Sequence, residues 1–189
     1  MTGRLTDHLA DRFGPDATSV SHGLLVLDVE PKQWIEALTY ARDDLGCTYF
    51  DWLSAVDELE NGLSVRAHLW SRTRRHHLLV RTLLPPGWPV LPTASGIFRG
   101  ANWHERETHE MFGVRFDGHP YPRPLLLPDG FEGCPLKKSF VLASRVVKQW
   151  PGAVDPGQSA SEARGRRRPK LPLGVPKPDE WGGSTCGTT

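Results

Sequence analysis

The stretch NGLSVRAHLWSRTRRHHLLVRTLL, residues 61–84, decides the fold because it predicts paired β-strands. Residues 61–62 form an Asn-Gly pair, a strong hairpin-turn signal because both residues accept a positive φ. Over residues 63–70, core-type and surface-type side chains alternate, which predicts a half-buried strand with one wet face. A basic turn at residues 72–75 then leads into a further strand over residues 77–84.

Upstream of residue 61, the sequence predicts two more strands and two helices, the first helix before residue 19. Residues 19–29 read as a single strand. Pro31 suits a first helical turn, apolar residues follow it at helical spacing, and Gly46 is a suitable end. These apolar residues are Trp34, Ile35, Leu38 and Ala41. Residues 47–57 are rich in aromatic and β-prone residues and predict another strand.

The predicted elements define an α+β fold: a sheet with antiparallel strand pairs and helices packed on one face, followed by an irregular C-terminal extension. We assign residues 1–149 to one domain, which includes an irregular, partner-facing segment from about 114 to 149. Residues 150–189 hold six prolines and seven glycines and form a basic tail. This tail is either disordered or an arm that orders on a partner. Its apolar anchors are Leu171, Leu173, Val175 and Trp181.

The densest polar cluster lies in a predicted three-turn helix that ends at Gly113. Asn102 and Glu105 have the spacing of a capping pair at its start. Glu107 lies four residues from Trp103 and four from Met111, so a carboxylate interrupts an apolar stripe, and Arg106 can pair with Glu110. We therefore expect a charged constellation that is satisfied within the fold or by a partner chain.

A metal site in this helix is a weaker hypothesis. His104-Glu105 resembles the start of the zinc-protease motif H-E-x-x-H, in which two histidines four residues apart share one helix face. Here the second histidine, His109, comes five residues later, and Thr108 occupies the required position. A metal hydrolase that uses His104, Glu105, His109 and Glu110 stays open as an alternative.

Composition excludes several classes of function. The chain of 189 residues has 23 Lys+Arg against 22 Asp+Glu, which argues against a general nucleic-acid binder, although a tail that binds nucleic acid or anionic lipid stays open. The three cysteines are far apart and cannot supply the four thiolates of an iron–sulfur cluster. There is no glycine-rich nucleotide fingerprint, so we expect no flavin on this chain. Because we find no membrane-length apolar run and no signal-peptide core, we expect a cytoplasmic or peripheral membrane protein.

The residues of the helix and of the segment after it resemble a known family, the 30-kilodalton-type subunit of respiratory complex I, which is the C subunit of the bacterial NADH-quinone oxidoreductase. The matching stretches are residues 50–57, 101–103, 105–107, 110–113, 119–120, 123, 125–126, 128–130, 133 and 135–138. The resemblance covers most of the chain between about Leu24 and Lys148.

The resemblance implies a non-catalytic structural subunit of the peripheral arm, on the cytoplasmic side of the cell membrane. Such a subunit packs against the 49-kilodalton-type subunit near the quinone site. The complex passes electrons from NADH through FMN and iron–sulfur clusters to quinone and translocates protons, but this chain binds no cofactor or metal. Related subunits serve ferredoxin-fed or hydrogenase-type membrane complexes, which is the closest alternative. The expected interface residues are Glu105, Arg106, Glu107, Glu110, His119 and Arg123.

Overall fold

The structure, a computed structural model, describes residues 2–140. Three α-helices occur in this part of the chain, α1 (Thr2–Phe13), α2 (Trp34–Asp43) and α3 (Ala101–Phe112). The strands are β1 (Thr18–Ser21), β2 (Leu24–Val29), β3 (Tyr49–Asp57), β4 (Leu63–Ser71), β5 (His76–Leu84), β6 (Val90–Pro92) and β7 (Arg115–Asp117). The predicted tail, residues 150–189, and the predicted domain boundary before it lie outside the described residues.

The main sheet has the strand order β1-β2-β5-β4-β3. The neighbouring strands pair in antiparallel fashion except for β2 and β5, which are parallel. The α+β fold class is therefore confirmed, with one central parallel pair added to the predicted antiparallel ones. A second, two-stranded parallel sheet pairs β6 with β7 and connects the chain on either side of α3.

The single strand predicted over residues 19–29 is wrong, because the chain turns at His22 and Gly23. Both residues have a positive φ, 51° and 79°, as a tight two-residue hairpin turn requires. The result is the antiparallel pair of β1 and β2. Gly23 is the sequence signal for this turn, since a glycine is rarely placed inside a regular strand.

One face of the main sheet carries the hydrophobic core. Leu27, Val80, Ala67 and Leu53 are neighbours across four strands, and at most 1% of each is exposed. Side chains from all three described helices join the same buried cluster, so the helices cover this face as predicted. Burial of such apolar side chains supplies the main driving force for folding.

The opposite face, called here the open face, differs from the wet face predicted for β4. His68 is only 8% exposed although no side chain of this face belongs to the core cluster of residues 2–140. Its neighbours are aromatic: the Trp52 ring centroid lies 5.8 Å from that of His68, and the His77 centroid lies 5.2 Å from it. Among residues 2–140, rings on adjacent strands, rather than a second layer, therefore shield the centre of the open face.

Candidate partner-binding site around helix α3

Helix α3 follows Gly100 and ends at Gly113, whose left-handed φ of 76° lets its N–H donate to the His109 carbonyl at 2.8 Å. The predicted three-turn length and the predicted end at Gly113 are confirmed. The predicted capping pair is wrong. The helix begins one residue before Asn102, and Glu105 points into the interior rather than back to the helix start.

Glu105 is fully buried and holds the loop that precedes α3. Its Oε1 accepts the backbone N–H of Ala94 at 2.6 Å, and its Oε2 forms a hydrogen bond with the Thr93 hydroxyl. Burial raises the pKa of Glu105 to about 7. The carboxyl group therefore holds a proton over a pH range in which an exposed glutamate is ionised.

His119 lies beside this carboxyl group, with its Nε2 3.7 Å from Glu105 Oε2. The same Nε2 bonds the Asn102 carbonyl oxygen at 3.2 Å, and Nδ1 accepts the backbone N–H of Tyr121 at 3.1 Å. Burial lowers the pKa of His119, so the neutral imidazole is favoured. His119 thus ties the turn after β7 to the first turn of α3.

Glu110 anchors the irregular segment that follows. Its carboxylate is 4% exposed and accepts three consecutive backbone N–H groups, those of Leu125, Leu126 and Leu127, at 2.6, 2.8 and 3.4 Å. The expected pairing of Arg106 with Glu110 is therefore wrong. A segment too rich in proline to form a ladder leaves its N–H groups without backbone partners, and Glu110 supplies the acceptor.

Arg106 binds the carbonyl side of the same segment. Its Nε donates to the Arg123 carbonyl and its Nη2 to that of Pro124, both at 2.8 Å. The guanidinium also lies over the rings of Trp103 and Tyr121, 5.3 and 5.2 Å from their centroids. The flat cation therefore fills the space between helix and segment while it satisfies two carbonyls.

Two of the six predicted residues, Glu107 and Arg123, are exposed. Glu107 lies on the outer side of α3 near Trp103, which is 60% exposed, so this part of the predicted stripe faces outward. Met111, at its other end, is half-buried and packs against the core. All six predicted residues belong to one site, formed by α3 and residues 118–127. Four of them act inside the chain, and two are presented to the outside. Their role in partner binding stays a prediction.

Large apolar side chains are exposed around these residues. We call this surface the α3 face and define it by Trp103, Tyr121, Leu126 and Leu136, which are 60%, 47%, 57% and 52% exposed. An exposed apolar cluster of this kind is typical of a protein–protein contact.

The end of the segment is held by contacts that were not predicted from the sequence. The carboxylate of Asp57, at the end of β3, accepts the backbone N–H of Lys138 at 2.8 Å, and this bond holds the pKa of Asp57 below its ordinary value. The Leu136 N–H donates to the Met111 carbonyl at 3.0 Å. Asp57 lies within the stretch 50–57 that carries the family resemblance, and this stretch was the available signal.

The arrangement gives no support to a metal centre in the described residues. The His104 ring packs edge-on against Phe50 with centroids 5.5 Å apart, and His109 Nδ1 bonds the Val114 carbonyl at 2.9 Å. Across residues 2–140, no three His, Cys, Asp or Glu side chains are grouped so that they could hold a metal ion.

Helices long and apolar enough to cross a bilayer are also absent from this part of the chain.

Solved structures share this fold. The trypsin-resistant fragment of Nqo5 superposes with a TM-score of 0.55 at 21% identity, over 64% of this chain and 98% of the fragment. A chain of the membrane-bound sulfane sulfur reductase, an archaeal respiratory membrane complex, gives a TM-score of 0.57 at 21% identity, over 68% of this chain and 77% of its own length. The α+β fold of this chain is therefore shared with both solved chains.

Sequence comparison identifies the family. The family model "Respiratory-chain NADH dehydrogenase, 30 Kd subunit" matches residues 27–146, and the chain belongs to this family, as the resemblance implies. The C subunit of NADH-quinone oxidoreductase from Methylorubrum populi is 38% identical over 146 residues, which cover 74% of this chain and 66% of that protein.

Two further relatives differ in length from this chain. The C 2 subunit of the Rhizobium meliloti NADH-quinone oxidoreductase is 32% identical over 167 residues, covering 82% of this chain and 91% of that protein. The C/D subunit from Serratia proteamaculans is 36% identical over 150 residues, covering 70% of this chain but only 24% of that protein. This chain thus matches about a quarter of the Serratia protein and about two thirds of the Methylorubrum protein.

Proposed function

We propose that this chain is a non-catalytic structural subunit of the peripheral arm of a proton-translocating NADH-quinone oxidoreductase. In this proposal it packs through the α3 face against the 49-kilodalton-type subunit near the quinone site. Family membership supports the choice of complex. The Serratia relative, a C/D subunit, supports the choice of partner, because its name joins the two subunits in one chain.

The observation that carries the proposal is the internal fixation of an irregular, apolar segment. Glu110 and Arg106 bind opposite backbone groups of residues 123–127, while Asp57 holds residue 138. The exposed side chains on this segment are therefore held in place before a partner arrives. A preorganised surface loses less conformational entropy on binding, which favours affinity. Aromatic side chains such as Trp103 and Tyr121 are frequent at the energetic centre of interfaces.

The chemistry belongs to other subunits in this proposal. FMN, the iron–sulfur clusters and quinone are held elsewhere, and this chain provides no cofactor ligand. It reaches the cytoplasmic side of the membrane only through the complex and binds no nucleic acid. Its contribution to the reaction is to hold its neighbour in position.

The second candidate function is the same structural role in a complex that takes its electrons from a different donor. This chain shares its fold with a chain of the archaeal sulfane sulfur reductase, a respiratory membrane complex that is not named for NADH or quinone. A ferredoxin-fed or hydrogenase-type complex is therefore the second candidate. Purification of the assembled complex separates the two candidates. A co-purified NADH-binding flavoprotein supports the first, and its absence from a complex that reduces quinone with another donor supports the second.

The α3 face is tested by placing a charge in it. We expect Leu126→Asp to lower the yield of assembled complex by about tenfold or more, because an unpaired carboxylate is costly in an apolar contact. Val20→Asp is the matched control, since Val20 is 64% exposed at the far edge of the sheet. Thermal unfolding of each isolated chain checks folding. Normal assembly with both variants would contradict the proposed contact.

A further inference from the structure

The open face of the sheet carries a carboxylate and an indole brought together by a β-bulge. In the pairing of β3 with β4, Phe50 lies opposite Leu69 and Trp52 lies opposite His68, so Asp51 is the extra residue. A bulge re-aims side chains that regular alternation would place on opposite faces. Phe50 packs against Phe98 in the interior, whereas Asp51 and Trp52 both contact His68 on the open face.

Two histidines fix the orientation of this carboxylate. His68 Nδ1 bonds Asp51 Oδ2 at 2.8 Å, and His68 Nε2 bonds His77 Nδ1 at 3.2 Å. The planes of the two imidazoles differ by only 9°. Asp51, His68 and His77 therefore form a hydrogen-bonded row across the neighbouring strands, on the surface of the sheet. Both nitrogens of His68 are thereby engaged. Asp51 is bonded to His68 through Oδ2, and its side chain is 44% exposed.

The other charges of the open face are already paired with each other. Arg81 forms a two-pronged ion pair with Asp28, and Arg66 Nη2 lies 2.9 Å from Glu58 Oε1. Within the part of the chain that the structure describes, Asp51 has no arginine or lysine beside it. The bulge therefore presents a negative charge next to an indole that is 37% exposed.

The same chain shows what such a combination binds. Arg12 Nη2 lies 2.9 Å from Glu36 Oε1 while its guanidinium lies 4.6 Å from the Tyr40 ring centroid. Arg115 likewise combines an ion pair to Asp117 at 3.2 Å with a position 5.0 Å from the Trp88 ring centroid. In both places a carboxylate and an aromatic face hold one guanidinium.

We infer that Asp51 and Trp52 form a binding site for an arginine side chain of another protein subunit, with the guanidinium stacked on the indole and paired with the carboxylate. Charge complementarity selects a cation, and the flat ring selects arginine over lysine. A protein partner is favoured over a small molecule because further large apolar side chains are exposed on the same face. These are Tyr49, Val56 and Leu83, at 54%, 37% and 49%. The site is separate from the α3 face.

The chemistry of the site is tested with small probes on the full chain. Three probes acetylated on the α-amino group are titrated: arginine amide, lysine amide and the uncharged isostere citrulline amide. Binding is followed by NMR through the Trp52 indole N–H. We expect weak, saturable binding of the arginine probe, with affinity reduced on the order of fivefold or more for lysine and citrulline. Equal response to arginine and citrulline would overturn the inference, and this comparison needs no variant.

Two matched substitutions locate the probe. Asp51→Asn should reduce arginine affinity by about fivefold or more, whereas Glu58→Gln, which removes a paired carboxylate of the same face, should not. The Trp52 signal of each variant reports whether the sheet is folded. An unchanged affinity in Asp51→Asn contradicts the assignment.

The partner is tested in the assembled complex. A photo-crosslinking residue at Tyr49 should give a product with an arginine-containing peptide of another subunit, and one at Leu126 serves as the reference for the α3 face. Crosslinks from position 49 only to residues 141–189 of the same chain, or none while position 126 reacts, would overturn the inference. Failure at position 126 with success at position 49 would instead count against the proposed function alone.

Discussion

Arg106 and Glu110, one turn apart on α3, hold opposite halves of the same backbone. The arginine donates to the carbonyls of Arg123 and Pro124, and the glutamate accepts the N–H groups of residues 125–127. Two side chains that a helix places side by side therefore do not pair with each other. They supply the hydrogen-bond partners that a neighbouring strand or helical turn would give a regular element and that this proline-rich segment lacks.

Replacement of Glu110 should release the segment. In Glu110→Gln, the amide NH2 would face backbone donors, so at least one buried N–H loses its acceptor, at a cost of roughly 1–3 kcal/mol. Hydrogen exchange should show loss of protection at residues 125–127. Glu107→Gln on the exposed side of the same helix is the control and should leave both stability and exchange unchanged.

Replacement of Arg106 should show that its shape matters as well as its charge. Arg106→Lys keeps the charge but cannot donate from two fixed nitrogens or cover both Trp103 and Tyr121. We expect both Arg106→Lys and Arg106→Ala to destabilise the isolated chain, by about 1–2 kcal/mol, in urea unfolding. A lysine variant as stable as the native chain would mean that a point charge is sufficient.

The buried carboxyl group of Glu105 makes stability depend on pH. Its folded pKa of about 7 lies above the ordinary 4.5, so the folded chain binds this proton more tightly than the unfolded chain. The resulting contribution is fully present below pH 4.5 and is lost as the pH rises through about 7. It amounts to at most about 3 kcal/mol.

Glu105→Gln isolates this effect because the neutral amide keeps the shape of the protonated acid. The stability of the native chain relative to the variant should fall as the pH rises from about 5 to 8. His119, whose lowered pKa acts in the opposite direction, is present in both proteins. A stability difference that does not change with pH would show that Glu105 stays ionised in the fold.

Gly62, in the β3–β4 connection, should tolerate substitution less well than Gly87, which follows β5. It has a φ of +102°, and a Cβ atom there would lie 2.0 Å from the backbone oxygen of Leu84. We expect Gly62→Ala to cost on the order of 3 kcal/mol or more, since backbone must move. Gly87→Ala has a similar φ of +86° with no atom within 4 Å of the added Cβ, and should cost only about 1–2 kcal/mol in thermal unfolding.

The sequence predicts elements that are set by local patterns. The alternation in β4, the end of α3 at Gly113 and the aromatic character of β3 are all visible within a few residues of each element. The buried side of α3 is not, because three of its five buried residues are polar: Glu105, Thr108 and Glu110, beside Ala101 and Phe112. The large apolar residue Trp103 faces outward instead, and Met111 is only half-buried against the core.

The roles within the site could not be predicted because the partners are distant in sequence or are backbone groups. Glu105 is acceptable in the interior only because the Ala94 N–H and the Thr93 hydroxyl meet it there. Glu110 depends in the same way on N–H groups 15 to 17 residues away. Backbone donors carry no residue identity, so a sequence pattern does not reveal them. The bulge at Asp51 likewise depends on the register of two strands.

The parallel pairing of β2 with β5 sets an order of assembly. Strands β3, β4 and β5 follow one another closely along the chain and pair in that order, whereas β2 must find β5 across about 50 intervening residues. Until the β1–β2 hairpin arrives, β5 has an unpaired edge beside Leu78 and Val80, and such an edge can pair with another molecule. Pulse-labelled hydrogen exchange during refolding should therefore show protection in β3–β5 before β1–β2. Substitutions that weaken the N-terminal hairpin should promote aggregation during refolding more than they lower the stability of the folded chain.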